Sequence, residues 1–329
     1  MKERILQALK QKQEKNEYIS GQELCQRFSV SRTAVWKAVN ALKAEGYEIE
    51  AVRNRGYRLT GCPDILLSEE IKTGLKTSWW GKKILYFQVI DSTNLVIKKE
   101  AEAGAPEGLL AIAEEQTAGR GRRGRSWSSP PGTGIWMSFL LRPRVMPERA
   151  SMITLITALA CAKAIEELTG LTALIKWPND IVVNGKKIVG ILTEMSTEMT
   201  CINYVVTGIG INANMLDFPE DIRAHASSLA LEKGEKISRS GLVALFGCYF
   251  EKYYDRFCRT GDLRDLKEDY ESLLVNKGRQ VLIVGDEGTD KRTALGINEM
   301  GELLVQSENG EIKTVRSGEV SVRGLYGYV

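Results

Sequence analysis

Apolar and polar positions follow different periods along the chain, and the changes of period divide it into three regions. In residues 1–60, apolar side chains such as Val35 and Val39 recur at helical spacing, which predicts three helices followed by a hairpin. Strand-like runs alternate with longer helical stretches in residues 66–270, a pattern typical of an α+β domain that has a mixed sheet with helices on one side. In residues 276–329, short strands separated by Gly, Asn and Asp turns predict a small β-barrel.

These regions predict a multi-domain α+β protein with domains at residues 1–62, 63–275 and 276–329. Gly61-Cys62-Pro63-Asp64 is interpreted as a hinge, and Asp286-Glu287-Gly288 as a turn of the last domain. The predicted strands of the central domain are Ile84–Val89, Leu109–Glu114, Ile135–Leu141, Ala173–Lys176, Ile181–Val183, Ile188–Glu194 and Tyr204–Ile211. Its predicted helices are Asn94–Ala103, Ala150–Leu168 and Leu242–Arg259.

The first domain has the pattern of a winged helix-turn-helix. Ser20 and Glu23 form a capping box before a short helix, and Ser31 is placed to cap the next one, Arg32–Glu45. A basic hairpin follows, so we expect the second helix of the motif to enter a DNA major groove, although a three-helix unit for protein contacts is an alternative. The predicted DNA-binding residues are Ser31, Arg32, Thr33, Trp36, Lys37, Arg53, Asn54 and Arg55.

The distribution of charge supports an anionic partner for this domain. The whole chain has a formal net charge of +3, yet residues 1–60 carry 12 Lys and Arg against seven Glu and no Asp, a net charge of +5. The rest of the chain is therefore slightly acidic. A basic module of this kind favours binding to nucleic acid.

Composition excludes several classes of protein. The start of the chain is charged throughout, and the longest apolar stretch, Met152–Ile165, is too short to span a bilayer, so we expect a cytoplasmic protein with no membrane partner. The six cysteines form no CxxC pair and the one histidine is His225, which disfavours a disulfide framework, a zinc site and histidine-dependent nucleophilic catalysis. Any catalysis must therefore depend on Lys, Arg, Asp and Asn side chains. These residue types favour electrostatic stabilisation of phosphate or acyl transfer.

The strongest chemical signal is the sequence GRGRRGRSW at Gly119–Trp127. Glycine lets the backbone approach a ligand closely, and arginine supplies forked donors for phosphate and carboxylate, so the segment predicts a loop that folds over an anion. Its glycines formally match a dinucleotide fingerprint, but the sequence at 128–132, SSPPG, cannot be the interior of a helix, which excludes that interpretation.

Further motifs give the chain a family resemblance. DST at Asp91–Thr93, Gln116, GRGRRGRSW, KWPND at Lys176–Asp180, KIVGI at Lys187–Ile191 and GIGIN at Gly208–Asn212 occur in the order seen in biotin protein ligases. The chain resembles this family along its whole length. Its winged helix resembles that of the bifunctional ligase and biotin operon repressor (BirA) members, and the resemblance implies that the last domain is an SH3-like barrel.

The resemblance also implies roles for the motif residues. Those expected to bind biotin are Ser92, Thr93, Asn94, Gln116, Arg120, Gly121, Arg122 and Lys187. Those expected to bind ATP or the adenylate are Arg125, Trp127, Lys176, Asn179 and Asn212, with Mg²⁺ carried by ATP and not held in a cage of side chains. Lys187, Arg120 and Arg122 are the implied catalytic cations, and Asp180 is a candidate helper in acyl transfer.

The function implied by the resemblance is that of an ATP-dependent, AMP-forming ligase. It forms biotinoyl-5′-AMP and transfers biotin to a lysine of a carboxyl carrier protein. The adenylate is also expected to promote a homodimer that binds operator DNA and represses genes of biotin synthesis and transport. The alternatives are a non-catalytic, ligand-sensing transcription factor and a lipoate ligase-like acyltransferase. A sensor has no need of KWPND or Lys187, and lipoate enzymes usually carry a different glycine loop, so the biotin ligase is favoured.

Overall fold

The computed structural model of the chain describes residues 1–13, 17–61, 63–198, 201–285, 288–317, 321–324 and 328–329. The chain divides into two compact units, Met1–Ile65 and Leu66–Val329. Cys62 of the predicted hinge and Asp286 and Glu287 of the predicted turn lie outside the described residues. The domain limits at 62/63 and 275/276 stay predictions.

The N-terminal unit contains the predicted helices and hairpin. Its elements are α1 (Lys2–Gln13), α2 (Gly21–Phe28), α3 (Arg32–Ala44), β1 (Glu48–Val52) and β2 (Gly56–Gly61). The Ser20 hydroxyl accepts a hydrogen bond from the Glu23 amide at 3.0 Å, and the Ser31 hydroxyl accepts one from the Ala34 amide at 3.2 Å. Both predicted helix caps are confirmed, because each hydroxyl satisfies an amide that the first turn leaves without a helical partner.

The apolar positions of these helices form one core, which confirms the winged helix-turn-helix. Ile5 and Leu9 of α1 pack with Leu24 of α2 and with Val35 and Leu42 of α3. The polar face of α3 and the tip of the hairpin point to solvent. All the residues predicted to bind DNA are exposed: Ser31, Arg32, Thr33, Trp36, Lys37, Arg53, Asn54 and Arg55.

The second unit contains a seven-stranded mixed sheet with helices, followed by a smaller sheet. The strands of the large sheet are β3 (Ile84–Ile90), β4 (Leu110–Gln116), β5 (Ile135–Leu141), β6 (Leu174–Lys176), β7 (Asp180–Val183), β8 (Lys186–Glu198) and β9 (Cys201–Ile211). The helices are α4 (Ser68–Gly74), α5 (Thr93–Glu102), α6 (Met152–Thr169), α7 (Glu220–Arg223), α8 (Leu229–Lys233), α9 (Arg239–Thr260) and α10 (Lys267–Leu273). The strand order is β3-β4-β5-β9-β8-β7-β6, with β3 and β4 parallel and the other pairs antiparallel.

Helices cover both faces of the large sheet, whereas the sequence pattern placed them on one side. Leu110 and Ile112 of β4 belong to the main core, to which the long helices α6 and α9 contribute. Ala111, between them, belongs to a smaller core with Ile97 and Ala101 of α5. Because successive side chains of a strand point to opposite faces, α5 lies on the face opposite to α6 and α9. The continuous apolar run of β4 is the signal of a strand that is buried on both faces.

The residues after α10 form the predicted small β-domain, a five-stranded antiparallel sheet. Its strands are β10 (Gln280–Gly285), β11 (Gly288–Ile297), β12 (Leu303–Gln306), β13 (Ile312–Val315) and β14 (Ser321–Gly324), in the order β13-β12-β11-β10-β14. Trp177 joins this sheet to the KWPND turn: its amide donates to Asn276 Oδ1 at 2.9 Å and its indole NH donates to the Gly301 carbonyl at 3.0 Å. Trp177 is therefore a packing residue that fixes where β7 begins.

No helix in the described part of the chain is long and apolar enough to cross a membrane.

Candidate active site

A small pocket on the large sheet collects most of the predicted ligand-binding residues. Its lining comes from the start of α5, the end of β4, the 119–127 loop, and the facing strands β8 and β9. The predicted residues in the lining are Ser92, Thr93, Asn94, Gln116, Arg120, Gly121, Arg122, Trp127, Asn179 and Lys187. The pocket volume is about 50 Å³, well below the ~300 Å³ at which ligand pockets usually begin.

The pocket is small because an indole ring lies on its glycine floor. Gly190 and Gly210 face each other across β8 and β9. A Cβ atom on Gly190 would lie 2.6 Å from the Trp127 ring, and one on Gly210 would lie 2.5 Å from its indole nitrogen. Only glycine leaves room for the ring at both positions, and the buried indole NH has no hydrogen-bond partner among the described residues.

A chain of polar side chains closes the inner end of the pocket. Gln116 Oε1 accepts hydrogen bonds from the Thr93 amide at 2.9 Å and from the Thr93 hydroxyl at 3.0 Å. The Thr93 and Ser138 hydroxyls lie 2.6 Å apart, and Ser138 donates to Asn94 Oδ1. Thr93, Asn94 and Ser138 are buried and Gln116 is partly buried. Because they are held by hydrogen bonds to one another, they form a rigid set of donors and acceptors for a polar ligand head.

A charged pair fixes Asn94 from the other side. Asn94 Nδ2 donates to Glu194 Oε2 at 2.7 Å, and the Lys98 ammonium lies 2.6 Å from Glu194 Oε1. Burial alone would raise the pKa of Glu194, but the hydrogen bonds from Asn94 and Lys98 hold it below its usual range. Glu194 therefore stays ionised and keeps the Asn94 amide oriented. A Cβ on Gly208 would lie 2.1 Å from Asn94 Oδ1, so this side chain also requires glycine on β9.

The 119–127 loop, called the Gly/Arg loop below, is folded at the mouth of the pocket. The Trp127 amide donates to the Gly119 carbonyl at 2.9 Å, and the Gly121 amide donates to the Arg125 carbonyl at 2.7 Å. Arg122 Nη1 donates to Asn179 Oδ1 at 2.8 Å, which ties the loop to the KWPND turn. Burial lowers the pKa of Arg122, and the negative charge of Asp180 opposes that shift.

Lys187 and Asp180 form an ion pair at the same mouth. The Lys187 ammonium lies 2.7 Å from Asp180 Oδ1, with the lysine side chain 24% and the aspartate side chain 14% exposed. The ammonium also lies 5.2 Å from the centre of the Trp127 ring, which is cation–π distance. The antiparallel pairing of β7 with β8 brings the KWPND and KIVGI motifs together at this point.

Three residues predicted to bind nucleotide lie outside the pocket lining, and their role stays a prediction. Arg125 is exposed on the loop. Lys176 is 7% exposed at the end of β6. The Asn212 side-chain amide donates to the Ser227 carbonyl at 3.1 Å, so it holds the chain after β9. Ser92 lines the pocket at the N-cap position of α5, without a side-chain capping bond.

Two polar residues of the site were missed by the sequence analysis, Ser138 and Glu194. Ser138 lies in an apolar strand and Glu194 in an ordinary strand pattern, so neither carries a motif signal. Their role comes from contacts with Asn94, which is 44 and 100 residues away in the chain. A polar residue within the apolar run at 135–141 was the one available hint for Ser138.

The described residues contain no group of three or more His, Cys, Asp or Glu side chains that could hold a metal ion.

Comparisons with known proteins agree with this geometry. Residues 86–212 match the biotin/lipoate A/B protein ligase family, residues 2–58 an HTH domain, and residues 278–323 the biotin protein ligase C terminal domain. The bifunctional ligase/repressor BirA of Bacillus subtilis is 43% identical over 309 residues, which are 93% of this chain and 94% of that protein. The protein of the same name from Escherichia coli is 30% identical over 93% of this chain and 94% of its own length.

A solved structure is similar to most of this chain. The biotin protein ligase from Aquifex aeolicus in complex with biotin and ATP is 30% identical with a TM-score of 0.65, and the match covers 74% of this chain and 99% of that one.

The glycine floor gives a test of the position of Trp127. In Gly210→Ala we expect the indole ring to leave the pocket, because the new Cβ would lie 2.5 Å from its nitrogen. Acrylamide quenching of fluorescence should then detect about one more accessible tryptophan than in the unsubstituted protein. In a Trp127→Phe background the same substitution should leave quenching unchanged. Equal quenching of Gly210→Ala and the unsubstituted protein would contradict the placement.

Proposed function

The chain belongs to the BirA family of bifunctional ligase/repressors, and on that basis we propose that it activates biotin with ATP and transfers biotin to a carboxyl carrier protein. We further propose that the activated intermediate makes it a repressor of genes for biotin synthesis and transport. The observation that carries the ligase proposal is one pocket with a neutral polar inner end and a cationic mouth, formed by Thr93, Gln116, Arg122 and Lys187.

The two ends of the pocket suit the two ends of biotin. The ureido group of biotin is a neutral donor and acceptor, which the hydrogen-bonding chain of Thr93, Gln116 and Asn94 can recognise. The valerate chain would lie along Leu192, which lines the pocket and points to the same face of the sheet as Gly190 and Gly208. The carboxylate would then reach the mouth, where Lys187 and Arg122 carry positive charge.

The first reaction joins two anions, which repel each other. The cations at the mouth of the pocket would lower this electrostatic barrier. A carboxylate oxygen of biotin attacks the α-phosphorus of ATP, the bond from that phosphorus to pyrophosphate breaks, and biotinoyl-5′-AMP forms. Lys187, Arg120 and Arg122 would stabilise the charge that concentrates between carboxylate and phosphate. To do so, Lys187 exchanges its partner Asp180 for the substrate, which keeps the ammonium paired in both states.

ATP would occupy the side of the pocket that Trp127 covers. We propose that the indole ring moves off the two glycines and stacks on adenine, which also makes room for the ligand. Arg125, Lys176, Asn179 and Asn212 are proposed contacts to the nucleotide, and Mg²⁺ would be carried by the phosphates. Ordering of the Gly/Arg loop over the intermediate would shield the mixed anhydride from water.

The second reaction consumes the intermediate. The ε-amine of a lysine on the carrier protein attacks the acyl carbon, the bond from that carbon to the AMP oxygen breaks, and an amide forms. The amine loses a proton in this step. Asp180 is the proposed helper, because it is the carboxylate paired with Lys187 at the pocket mouth.

DNA binding is assigned to the N-terminal unit. Its predicted contact residues are exposed along the start of α3 and at the hairpin tip, and residues 1–60 carry a net charge of +5. Binding by one such module would be weak and would fall with salt. We propose that the adenylate promotes a homodimer, which places two modules on a palindromic operator.

Lys187→Ala tests the proposed chemistry. We expect the single-turnover rate of biotinoyl-5′-AMP formation to fall by about 10²–10³-fold, because the main cation at the reacting centre is lost. The neighbouring Lys186→Ala is the matched control and should keep the rate, since successive strand residues point to opposite faces. A Lys187→Ala rate within twofold of the control would contradict the assignment.

Arg32→Ala tests the DNA-binding assignment. We expect affinity for a palindromic duplex, selected from random DNA by the wild-type protein with biotin and ATP, to fall about tenfold or more. Adenylate formation should be unchanged. Lys43→Ala removes the same charge from the other end of α3 and should weaken binding less. Equal affinities of Arg32→Ala and Lys43→Ala, measured by fluorescence anisotropy, would show that the start of α3 does not contact the DNA bases.

A further inference from the structure

Tyr328 lies beside the candidate active site, although it follows the small β-domain and belongs to no motif. Its hydroxyl donates a hydrogen bond to Asp180 Oδ2. The Lys176 ammonium lies 3.4 Å from the centre of its ring, and the His225 ring is stacked on it at 6.2 Å. Its side chain is therefore in contact with both ends of the KWPND motif and with His225, which follows α7.

The carboxylate that Tyr328 contacts is the one that holds Lys187. Asp180 uses Oδ2 for the Tyr328 hydroxyl and Oδ1 for the Lys187 ammonium, at 2.7 Å. Oδ2 accepts a hydrogen bond, whereas Oδ1 is held by charge alone, because it has no hydrogen-bond partner among the described residues. The Tyr328 hydrogen bond is therefore the directional contact that limits rotation of the carboxylate about its terminal torsion, which is otherwise a soft one. The direction of Asp180 then sets the direction of Lys187.

The environment keeps the Tyr328 hydroxyl a donor. Burial raises the pKa of Tyr328, and the negative charge of Asp180 raises it further, while the positive charge of Arg125 acts in the opposite direction. The phenol is protonated at neutral pH, so it can donate to the carboxylate throughout the working range of the protein.

We propose that Tyr328 is a positioning residue of the active site, which acts through Asp180 to hold the Lys187 ammonium at the mouth of the biotin pocket. The inference rests on the proposed function for its effect on catalysis. It assigns Tyr328 a part in adenylation, which is exerted through one phenol hydrogen bond. The ring and the hydroxyl have separate tasks: the ring covers Lys176, and the hydroxyl orients Asp180.

Tyr328→Phe separates these tasks, because it keeps the ring and removes the hydroxyl. We expect kcat for biotinoyl-5′-AMP formation to fall about tenfold, the effect of losing one hydrogen bond to a charged group. The KM for ATP should stay within about twofold, since the contact with Lys176 is retained. The matched control is Tyr249→Phe, which removes a tyrosine–carboxylate hydrogen bond to Glu167, remote from the pocket, and should change neither constant.

Two kinetic results would overturn the proposal. An unchanged kcat in Tyr328→Phe would show that the hydroxyl does not position the catalytic cation. A lower KM for ATP with unchanged kcat would show that Tyr328 obstructs the nucleotide and does not assist the reaction. Circular dichroism melting curves of Tyr328→Phe and Tyr249→Phe identify any loss that comes from unfolding.

A second measurement needs no enzymatic activity. Acetic anhydride labels exposed lysine amines, and mass spectrometry gives the labelling of Lys187 relative to Lys186 in the same peptide. We expect this ratio to rise at least twofold in Tyr328→Phe, because a mobile Asp180 holds Lys187 less firmly. In an Asp180→Asn background, Tyr328→Phe should add nothing, since the effect passes through Asp180.

The labelling ratio distinguishes failure of this inference from failure of the proposed function. A wild-type protein that forms no adenylate contradicts the ligase, yet the ratio still tests whether Tyr328 holds Lys187 through Asp180. A ratio that does not change in Tyr328→Phe, or that changes equally in the Asp180→Asn background, would overturn the inference even in an active ligase.

Discussion

The ion pair between Lys187 and Asp180 is the interaction on which the site depends. A half-buried ammonium must be paired, and an enzyme that joins two anions needs that ammonium at the point where they meet. Asp180 lies 2.7 Å from the ammonium, and in the proposed function a substrate carboxylate replaces the aspartate. The pairing of β7 with β8 brings the two residues together. Arg122 is tied to the KWPND turn, which contains Asp180, by its hydrogen bond to Asn179. The same turn is anchored by the hydrogen bond from the Trp177 amide to Asn276.

The paired strands β8 and β9 form the floor of the pocket, and glycine sets its depth. Gly190 and Gly210 leave space for an aromatic ring, and Gly208 leaves space for Asn94. Behind them, partly buried hydrogen bonds from Thr93 to Gln116 and from Asn94 to Glu194 fix the inner end. In the proposed function, these residues of the sheet and of α5 recognise the neutral head of the ligand, and the 119–127 loop closes over its charged tail.

The sequence was sufficient to predict those elements and motifs that have a local pattern of residues. Strand β5 was predicted at its observed limits, Ile135–Leu141, because it is continuously apolar between polar neighbours. Strand β8 was predicted as Ile188–Glu194 but extends over Lys186–Glu198, since backbone pairing with β9 continues where the side chains are polar. Helix α5 lies on the face opposite to α6 and α9, which the sequence did not predict. Because β4 is apolar at successive positions, its pattern does not show which helix covers which side.

The parts of the site that escaped prediction depend on contacts between distant residues. Glu194 meets Asn94 across 100 residues and Tyr328 meets Asp180 across 148, and neither pairing has a local pattern. The motif residues were identifiable because glycine, arginine and lysine at fixed spacing indicate a loop that binds an anionic ligand. Their supporting partners are ordinary polar residues, which only the fold brings into place.

The most direct test of the central claim is biotin-dependent exchange of labelled pyrophosphate into ATP by the purified, unsubstituted protein, with lipoate as the control acid. Exchange requires that a carboxylate attack the α-phosphorus reversibly, which is the step that Lys187 and its neighbours are proposed to stabilise. The account predicts exchange with biotin and none above background with lipoate. No exchange with biotin, or equal exchange with both acids, would contradict it.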